Sequence, residues 1–110
     1  MAEPITYDDF AKLELRVAKI LEARAHPNAD KLMLLQVSLG EETKQIVAGI
    51  RLHYTPEQLV GRNIVIVNNL APAMLRGEAS HGMLLAATSG EKAVLLTPDD
   101  PECVPGARIK

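Results

Sequence analysis

A polar turn that runs into an apolar segment is the stretch of this chain best equipped for chemistry. Residues 75–87 read Leu-Arg-Gly-Glu-Ala-Ser-His-Gly-Met-Leu-Leu-Ala-Ala. Arginine, glutamate, serine and histidine lie beside two glycines, immediately before a run that is apolar enough to predict a buried strand. Polar groups that a rigid scaffold holds at one place are typical of functional sites. We therefore expect the function to lie in this stretch.

Catalysis is not what these residue types and spacings indicate. Ser80 and His81 are adjacent, so in an extended chain their side chains point to opposite faces and cannot act as nucleophile and base. The histidines His26, His53 and His81 share no short spacing with one another or with a carboxylate that would resemble a metal site. The glycines form no phosphate-binding loop. The sequence therefore predicts a protein that is not an enzyme and that has no metal or cofactor.

Length and composition narrow the class of protein. A chain of 110 residues fits one domain, because that length buries about two thirds of its unfolded surface without disulfides or metal. The single cysteine, Cys103, excludes an internal disulfide and fits a reducing compartment. The N-terminus has no basic region followed by an apolar run, and no stretch approaches the roughly 18 apolar residues that cross a bilayer. We expect a cytoplasmic protein with no membrane partner.

The charge distribution limits where a polyanion could bind. The net charge is -2, yet residues 12–76 carry nine bases against six acids. A polyanion would therefore have to bind this middle part of the chain.

The three aromatic residues, Tyr7, Phe10 and Tyr54, provide no stacking platform on the predicted strands. A bound nucleic acid would therefore be held through phosphates, 2'-hydroxyls and shape, which favours a folded RNA over an unstructured single strand.

Hydrophobic periodicity predicts an all-β fold with short helices. Thr6 begins a helix of one or two turns, and Thr55, followed by Pro56 and Gln58, begins a second short helix. In the first strand, alternate apolar residues predict one buried face, formed by Leu13, Leu15, Val17, Leu21 and Ala23. The alternation breaks near Lys19 and Ile20, which predicts a bulge. The predicted strands cover residues 13–24, 31–39, 43–50, 63–68, 82–88 and 93–97, and residues 70–74 are predicted to be a loop. The first three strands, the second helix and the next two strands follow the order of the five-stranded OB-fold barrel; an unrelated small barrel is the alternative.

We expect one domain over residues 1–110. Residues 1–12 form an N-terminal segment with the first helix, residues 13–97 form the barrel, and residues 98–110 form a C-terminal arm. The arm carries three prolines and is expected to lie on the barrel, because Val104 and Ile109 need cover.

Six blocks of the sequence resemble, in order and spacing, the tRNA-binding domain family. The blocks are residues 10–17, 26–32, 45–50, 54–61, 69–70 and 76–84. That family includes stand-alone structure-specific tRNA-binding proteins, the C-terminal extension of methionyl-tRNA synthetases and endothelial monocyte-activating polypeptide domains; the length favours the stand-alone form. The resemblance implies an OB fold with a C-terminal extension, a homodimer, and binding to the outer bend of tRNA without sequence readout or chemistry.

The resemblance also implies which residues contact RNA. Lys31, Ser80 and Met83 match the RNA-contacting positions of the family, and Arg76 fits beside them on physical grounds. Lys31 and Arg76 would bind phosphate, Ser80 would bond a sugar or phosphate oxygen, and Met83 would pack on a base or ribose. Ordinary structural roles are the alternative: Lys31 as a solvated charge, Arg76 paired with Glu78, Ser80 as a turn cap and Met83 as a core residue.

One departure from the family predicts weak binding. Relatives place basic residues after Asn-Leu-x-Pro, where this chain has Ala71, Ala73 and Met74. Fewer phosphate contacts lower the affinity and its salt dependence, so binding would rely on two subunits acting together. The residues predicted to form the dimer interface are Ile5, Phe10, Val104 and Ile109.

Two further functions remain open at this stage. Secretion chaperones share this barrel, and the apolar segment 70–75 could bind a peptide. The chain could also serve as a dimerisation or docking module for an aminoacyl-tRNA synthetase, the methionyl enzyme in particular.

Overall fold

Five strands form one antiparallel sheet that curls into a nearly closed barrel. The computed structural model describes residues 2–110. The helices are α1 (Tyr7–Ala11) and α2 (Pro56–Leu59), and the strands are β1 (Leu15–Ala25), β2 (Met33–Ser38), β3 (Thr43–Ala48), β4 (Asn63–Val67), β5 (Ala73–Leu75), β6 (Glu78–Ser80), β7 (Met83–Leu84), β8 (Ala86–Ser89) and β9 (Lys92–Leu95). The strand order is β3-β2-β1-β4-β7, with β5–β6 and β8–β9 as separate two-stranded ribbons. The predicted OB-type barrel, with a helix between its third and fourth strands, is confirmed.

Strand β1 serves both halves of the barrel. Its first half pairs with β4 and its second half with β2, and the β1–β2 register shifts between Ile20 and Glu22, as the predicted bulge requires. The extra residue is Leu21, which is exposed although the alternation placed it on the buried face. Because the bulge shifts the alternation by one residue, Ile20 enters the core instead.

Both helices begin where their caps predict. The Thr6 hydroxyl accepts a hydrogen bond from the Asp9 N–H at 3.1 Å. Thr55 and Gln58 form a reciprocal capping box at the start of α2. This cap orients a helix of only four residues so that Leu59 is fully buried against the core.

The core is aliphatic and comes mainly from the barrel strands, with one buried side chain from α2 and one from the β8–β9 ribbon. Its members are Ala18, Ile20, Met33, Leu35, Val37, Ile46, Ala48, Ile50, Leu59, Ile64, Ile66 and Leu95. In β2, Met33, Leu35 and Val37 are all buried, and so is Leu34 on the other face of the strand.

The C-terminal arm lies along β1, as predicted. The Gly106 N–H donates to the Val17 carbonyl at 2.7 Å, and the Val17 N–H donates to the Ala107 carbonyl at 2.9 Å. The arm therefore pairs with the part of β1 around Leu15 and Val17 that forms no pairs with β2, while β4 pairs along the other edge. The cover expected for Val104 is absent, since 66% of this residue is exposed, whereas Ile109 is half-buried.

Two segments of the opening stretch fold differently from the prediction. The expected loop 70–74 contains part of β5, which pairs with β6 to form a hairpin. The expected buried strand 82–88 is divided into β7 and β8 at Leu85, and the residues of β8 are exposed. The apolar run is therefore only partly buried, because β8 leaves the barrel to pair with β9.

No helix within residues 2–110 is long and apolar enough to cross a membrane.

Candidate nucleic-acid interface

An arginine occupies the tip of the β5–β6 hairpin in an unfavourable backbone conformation. Arg76 has a φ of 54° and Gly77 a φ of 90°, and a type I′ turn requires positive φ at both of these positions. Glycine adopts this conformation freely, whereas a side chain there costs about 1 kcal/mol. The turn presents the exposed Arg76 side chain at its outermost point.

The hairpin is fixed to β3 by side chains rather than by a continuous strand ladder. Ser80 is only 4% exposed; its Oγ accepts from the Val47 N–H at 3.0 Å and donates to the Gly82 carbonyl at 2.9 Å. The Gln45 amide donates to the Ala79 carbonyl at 2.9 Å. These bonds align the hairpin along β3, so that its tip extends beyond the end of that strand.

The tip of the hairpin contacts the turn between β1 and β2. His26 is only 2% exposed, and its Nε2 donates to the Leu75 carbonyl at 2.9 Å. The Arg51 Nη1 donates to the Ala29 carbonyl at 2.9 Å and so holds the same turn. OB folds bind oligonucleotides with two loops, the one between the first two barrel strands and the one before the last barrel strand. In this chain they are the β1–β2 turn and the β5–β6 hairpin that precedes β7. Here one hydrogen bond joins them.

Lys31 and Arg76 are brought to the same end of the barrel. We call it the Lys31 end, where β1 ends and β2 begins; the Glu14 end is the opposite one, where β1 begins. Both side chains are exposed, and within residues 2–110 neither forms an ion pair. Glu78, the alternative partner of Arg76, instead accepts a hydrogen bond from Gln45.

Ser80 and Met83 do not join this pair. The expectation that Ser80 bonds an RNA oxygen conflicts with the structure, because its hydroxyl is buried and already bonded on both sides. Met83 is 46% exposed and is therefore not a core residue. It pairs with Val67, which pairs with Leu15 at the start of β1, so Met83 lies toward the Glu14 end. Ser80 thus positions the hairpin, and Met83 marks a separate point on the surface.

His26 and Arg51 are functional candidates that the sequence patterns do not indicate. His26 lies in the family-like block 26–32, but no role of its side chain follows from the sequence, and none follows for Arg51. Arg51 follows the predicted third strand, residues 43–50, and the end of β3 pairs with the start of β2. A basic residue at this end of the barrel was the available sequence signal for Arg51. The sequence carried no comparable signal for the contact of His26 with Leu75.

A polar network closes the Glu14 end. The Lys44 ammonium donates to Asn68 Oδ1 at 2.7 Å and to the His81 carbonyl at 3.0 Å, and the Asn68 amide donates to the Glu14 carboxylate. That hydrogen bond, with the charge of Arg16 3.4 Å away, lowers the pKa of Glu14 below 4.5. The network ties β3, the end of β4 and the segment before β7 together.

Glu14→Gln is expected to reduce the acid sensitivity of folding. Because the pKa of Glu14 is lowered by folding, its carboxylate stabilises the protein above about pH 4.5, and this stabilisation is lost as the pH falls through the folded-state pKa. The loss of stability between about pH 7 and pH 3 should therefore be smaller in the variant, by less than about 1 kcal/mol because the carboxylate is partly exposed. Urea unfolding at the two pH values measures it, with Glu91→Gln on an exposed turn as control. An unchanged pH dependence would contradict the role of Glu14.

The residues predicted to form the dimer interface are unevenly exposed. Ile5 and Val104 are each about two thirds exposed, whereas Phe10 and Ile109 are half-buried. Phe10 packs against the ring of Tyr7, with 6.3 Å between the ring centroids. The N-terminal segment and the arm thus present separate apolar side chains that a second subunit could cover, and the dimer remains a prediction.

Comparisons with known proteins agree with the fold. A model of the family described as "Putative tRNA binding domain" matches residues 15–108. The chain is 53% identical over 108 residues to the methionine–tRNA ligase of Thermococcus kodakarensis, covering 98% of the chain and 14% of the ligase. It is 57% identical over 105 residues to the ligase of Thermotoga maritima, covering 96% of the chain and 16% of the ligase. The chain therefore spans only a small part of these relatives.

Solved structures match over nearly the whole chain. A protein related to methionyl-tRNA synthetase from Pyrococcus horikoshii superposes with a TM-score of 0.92 at 33% identity, covering 99% of this chain and 100% of that one. The chaperone CsaA from Bacillus anthracis superposes with a TM-score of 0.87 at 31% identity, covering 98% and 100%. The family match, the identity to the ligases and the common barrel together show that the chain belongs to the tRNA-binding domain family.

Proposed function

We propose that this chain binds tRNA by shape, as a homodimer, without sequence readout and without catalysis. The observation that carries the proposal is the hydrogen bond between His26 and Leu75 at the Lys31 end, which joins the β1–β2 turn to the β5–β6 hairpin. Two exposed cations, Lys31 and Arg76, come from the two OB loops that bind oligonucleotides, and a hydrogen bond from the buried His26 joins one loop to the other. Cations on two joined loops suit the phosphates of a folded RNA, whose spacing is fixed.

The aromatic side chains support recognition through the RNA backbone rather than through stacked bases. The Tyr54 hydroxyl accepts from the Leu95 N–H, and the guanidinium of Arg62 lies over the Tyr54 ring at 5.6 Å. Tyr7 and Phe10 lie on α1, outside the sheet. Proteins that bind single strands of any sequence usually stack the bases on aromatic side chains. No strand of the sheet within residues 2–110 carries such a side chain, which favours phosphate and 2'-hydroxyl contacts.

Two subunits would compensate for the small number of contacts. Ala71 precedes the hairpin and Ala73 begins it; a basic residue at either position would add a phosphate contact, and both alanines are exposed. When one subunit is bound, the second binds the same tRNA at a high effective concentration, which raises the affinity without further contacts. The exposed Ile5 and Val104 supply apolar surface for such a dimer.

A protein-binding function is the second candidate. Leu70, Met74 and Leu75 are exposed on the segment that forms the first strand of the hairpin, and an apolar strip of this kind suits an unfolded peptide. Two of the similar solved structures are of the chaperone CsaA. Docking to a synthetase is a further possibility, because the ligases contain the matching segment within a longer chain.

Competition between intact tRNA and an unstructured RNA of equal length tests the leading proposal. Shape recognition predicts tighter binding to tRNA and an affinity that falls steeply with salt. Equal affinity for the two RNAs would remove the claim of shape recognition.

Peptide binding through the apolar strip would instead be nearly insensitive to salt, so a salt titration with an unfolded protein as ligand separates the two functions. A mass measurement that found only monomer would contradict the two-subunit argument.

A further inference from the structure

The two hydrogen bonds of the buried His26 ring define its protonation state. Nε2 lies 2.9 Å from the Leu75 carbonyl, which can only accept, so Nε2 must carry a proton. Nδ1 lies 2.9 Å from the Asn28 backbone nitrogen, whose N–H can only donate, so Nδ1 must be unprotonated. His26 is therefore the neutral Nε2–H tautomer. One ring thus closes its own turn and binds the neighbouring hairpin.

Arg51, on the segment after β3, holds the backbone of the same turn. Its Nη1 donates to the Ala29 carbonyl at 2.9 Å and lies 3.4 Å from the His26 carbonyl oxygen.

We propose that His26 is a positioning residue for RNA binding: its neutral Nε2–H form holds the turn that carries Lys31 against the hairpin that carries Arg76, and so makes one surface from two loops. This inference rests on the proposed function. The hydrogen bond joins residues 49 positions apart in the chain and reaches the residue next to Arg76. Without it, the turn would still be held by Arg51 and the hairpin by β3, but no hydrogen bond would join the two loops directly, so Lys31 and Arg76 would be less well positioned to bind phosphate together.

A double-mutant cycle on tRNA affinity tests the coupling. Arg76→Asn is expected to weaken binding about tenfold in the otherwise unchanged protein, because a charge-assisted contact is lost. In a His26→Leu background the same change should weaken binding less than about threefold, because the arginine is no longer held in register. His26→Gln, which can place an amide N–H near the position of Nε2, should restore most of the coupling. An equal effect of Arg76→Asn in all three backgrounds would overturn the proposal.

The failure of the proposed function gives a different pattern. If Arg76→Asn has no effect on tRNA binding in the otherwise unchanged protein, then the RNA site at the Lys31 end is wrong, whatever His26 does.

Nitrogen NMR of the His26 ring tests the tautomer without RNA and without any variant. A proton on Nε2 and none on Nδ1 is expected at about pH 7.5, since both partners require it. The opposite tautomer, or a doubly protonated ring in the folded protein at that pH, would overturn the inference.

Discussion

Replacing Lys31 with alanine and Arg76 with asparagine in one chain is expected to weaken tRNA binding on the order of 100-fold at low salt, because each change removes one charge-assisted phosphate contact. Asparagine is the better choice at position 76, since it tolerates the left-handed conformation that Arg76 adopts at a φ of 54°. The hairpin should therefore keep its shape or become more stable, and the loss of binding can be assigned to the charge. Gel shifts at several salt concentrations measure the effect, and the slope of log K against log salt should become shallower by roughly 1.5 per subunit.

A matched control removes the same charge from the other end of the barrel. Lys12 precedes β1, and Arg108 bridges to Arg16 near the start of that strand, so both lie at the Glu14 end. Lys12→Ala with Arg108→Ala should change the affinity much less than the Lys31 and Arg76 pair, provided that the assembly state is unchanged. An equal loss in both double variants would mean that net charge, and not the joined loops, determines binding. An unchanged affinity in the first variant would show that the assigned site is wrong.

Features of the fold that depend on near neighbours in sequence could be predicted. The capping box of Thr55 and Gln58 needs only a four-residue pattern, and it forms. The bulge in β1 was visible because the alternation of apolar residues breaks near Ile20, and the register shift occurs there. The side chain displaced by the bulge could not be predicted, because that depends on which residue β2 leaves unpaired. Leu21 is therefore exposed where the pattern predicted burial.

The candidate site was less predictable because its decisive contacts join distant residues. The hairpin turn is Arg76-Gly77 rather than the Asn-Gly that marks such turns, and Pro72 argued for a loop. Ser80 had the chemistry to bond RNA, but its hydroxyl bonds to Val47, 33 positions away. The link between His26 and Leu75 spans 49 positions and has no sequence pattern. Residue type and spacing thus indicated a candidate site, while tertiary contacts decided which of its side chains face outward.

Gly106→Ala is expected to destabilise the protein by about 3 kcal/mol, because an added Cβ meets two separate penalties. The φ of Gly106 is +91°, a conformation that side chains rarely adopt, and the Cβ would lie 2.3 Å from the Leu39 carbonyl oxygen. Since that oxygen belongs to the backbone, the arm must shift, and the hydrogen bonds of Gly106 with Val17 and with the Arg16 guanidinium would be strained or lost. The melting temperature should fall on the order of 10 °C.

The matched control is Gly49→Ala, where no atom lies within 4 Å of the added Cβ and φ is not in the left-handed region. Its melting temperature should change little. Because the arm carries Val104 and Ile109 of the predicted interface, Gly106→Ala should also shift the assembly toward monomer at protein concentrations where Gly49→Ala does not. Sedimentation at matched concentrations, below the melting temperature of both variants, measures this. If Gly106→Ala melts like the unchanged protein, the arm does not pack on β1 as described. If it is destabilised yet forms the same dimer, the arm stabilises the barrel but contributes nothing to the interface, which would then have to be formed by Ile5, Phe10 and their neighbours.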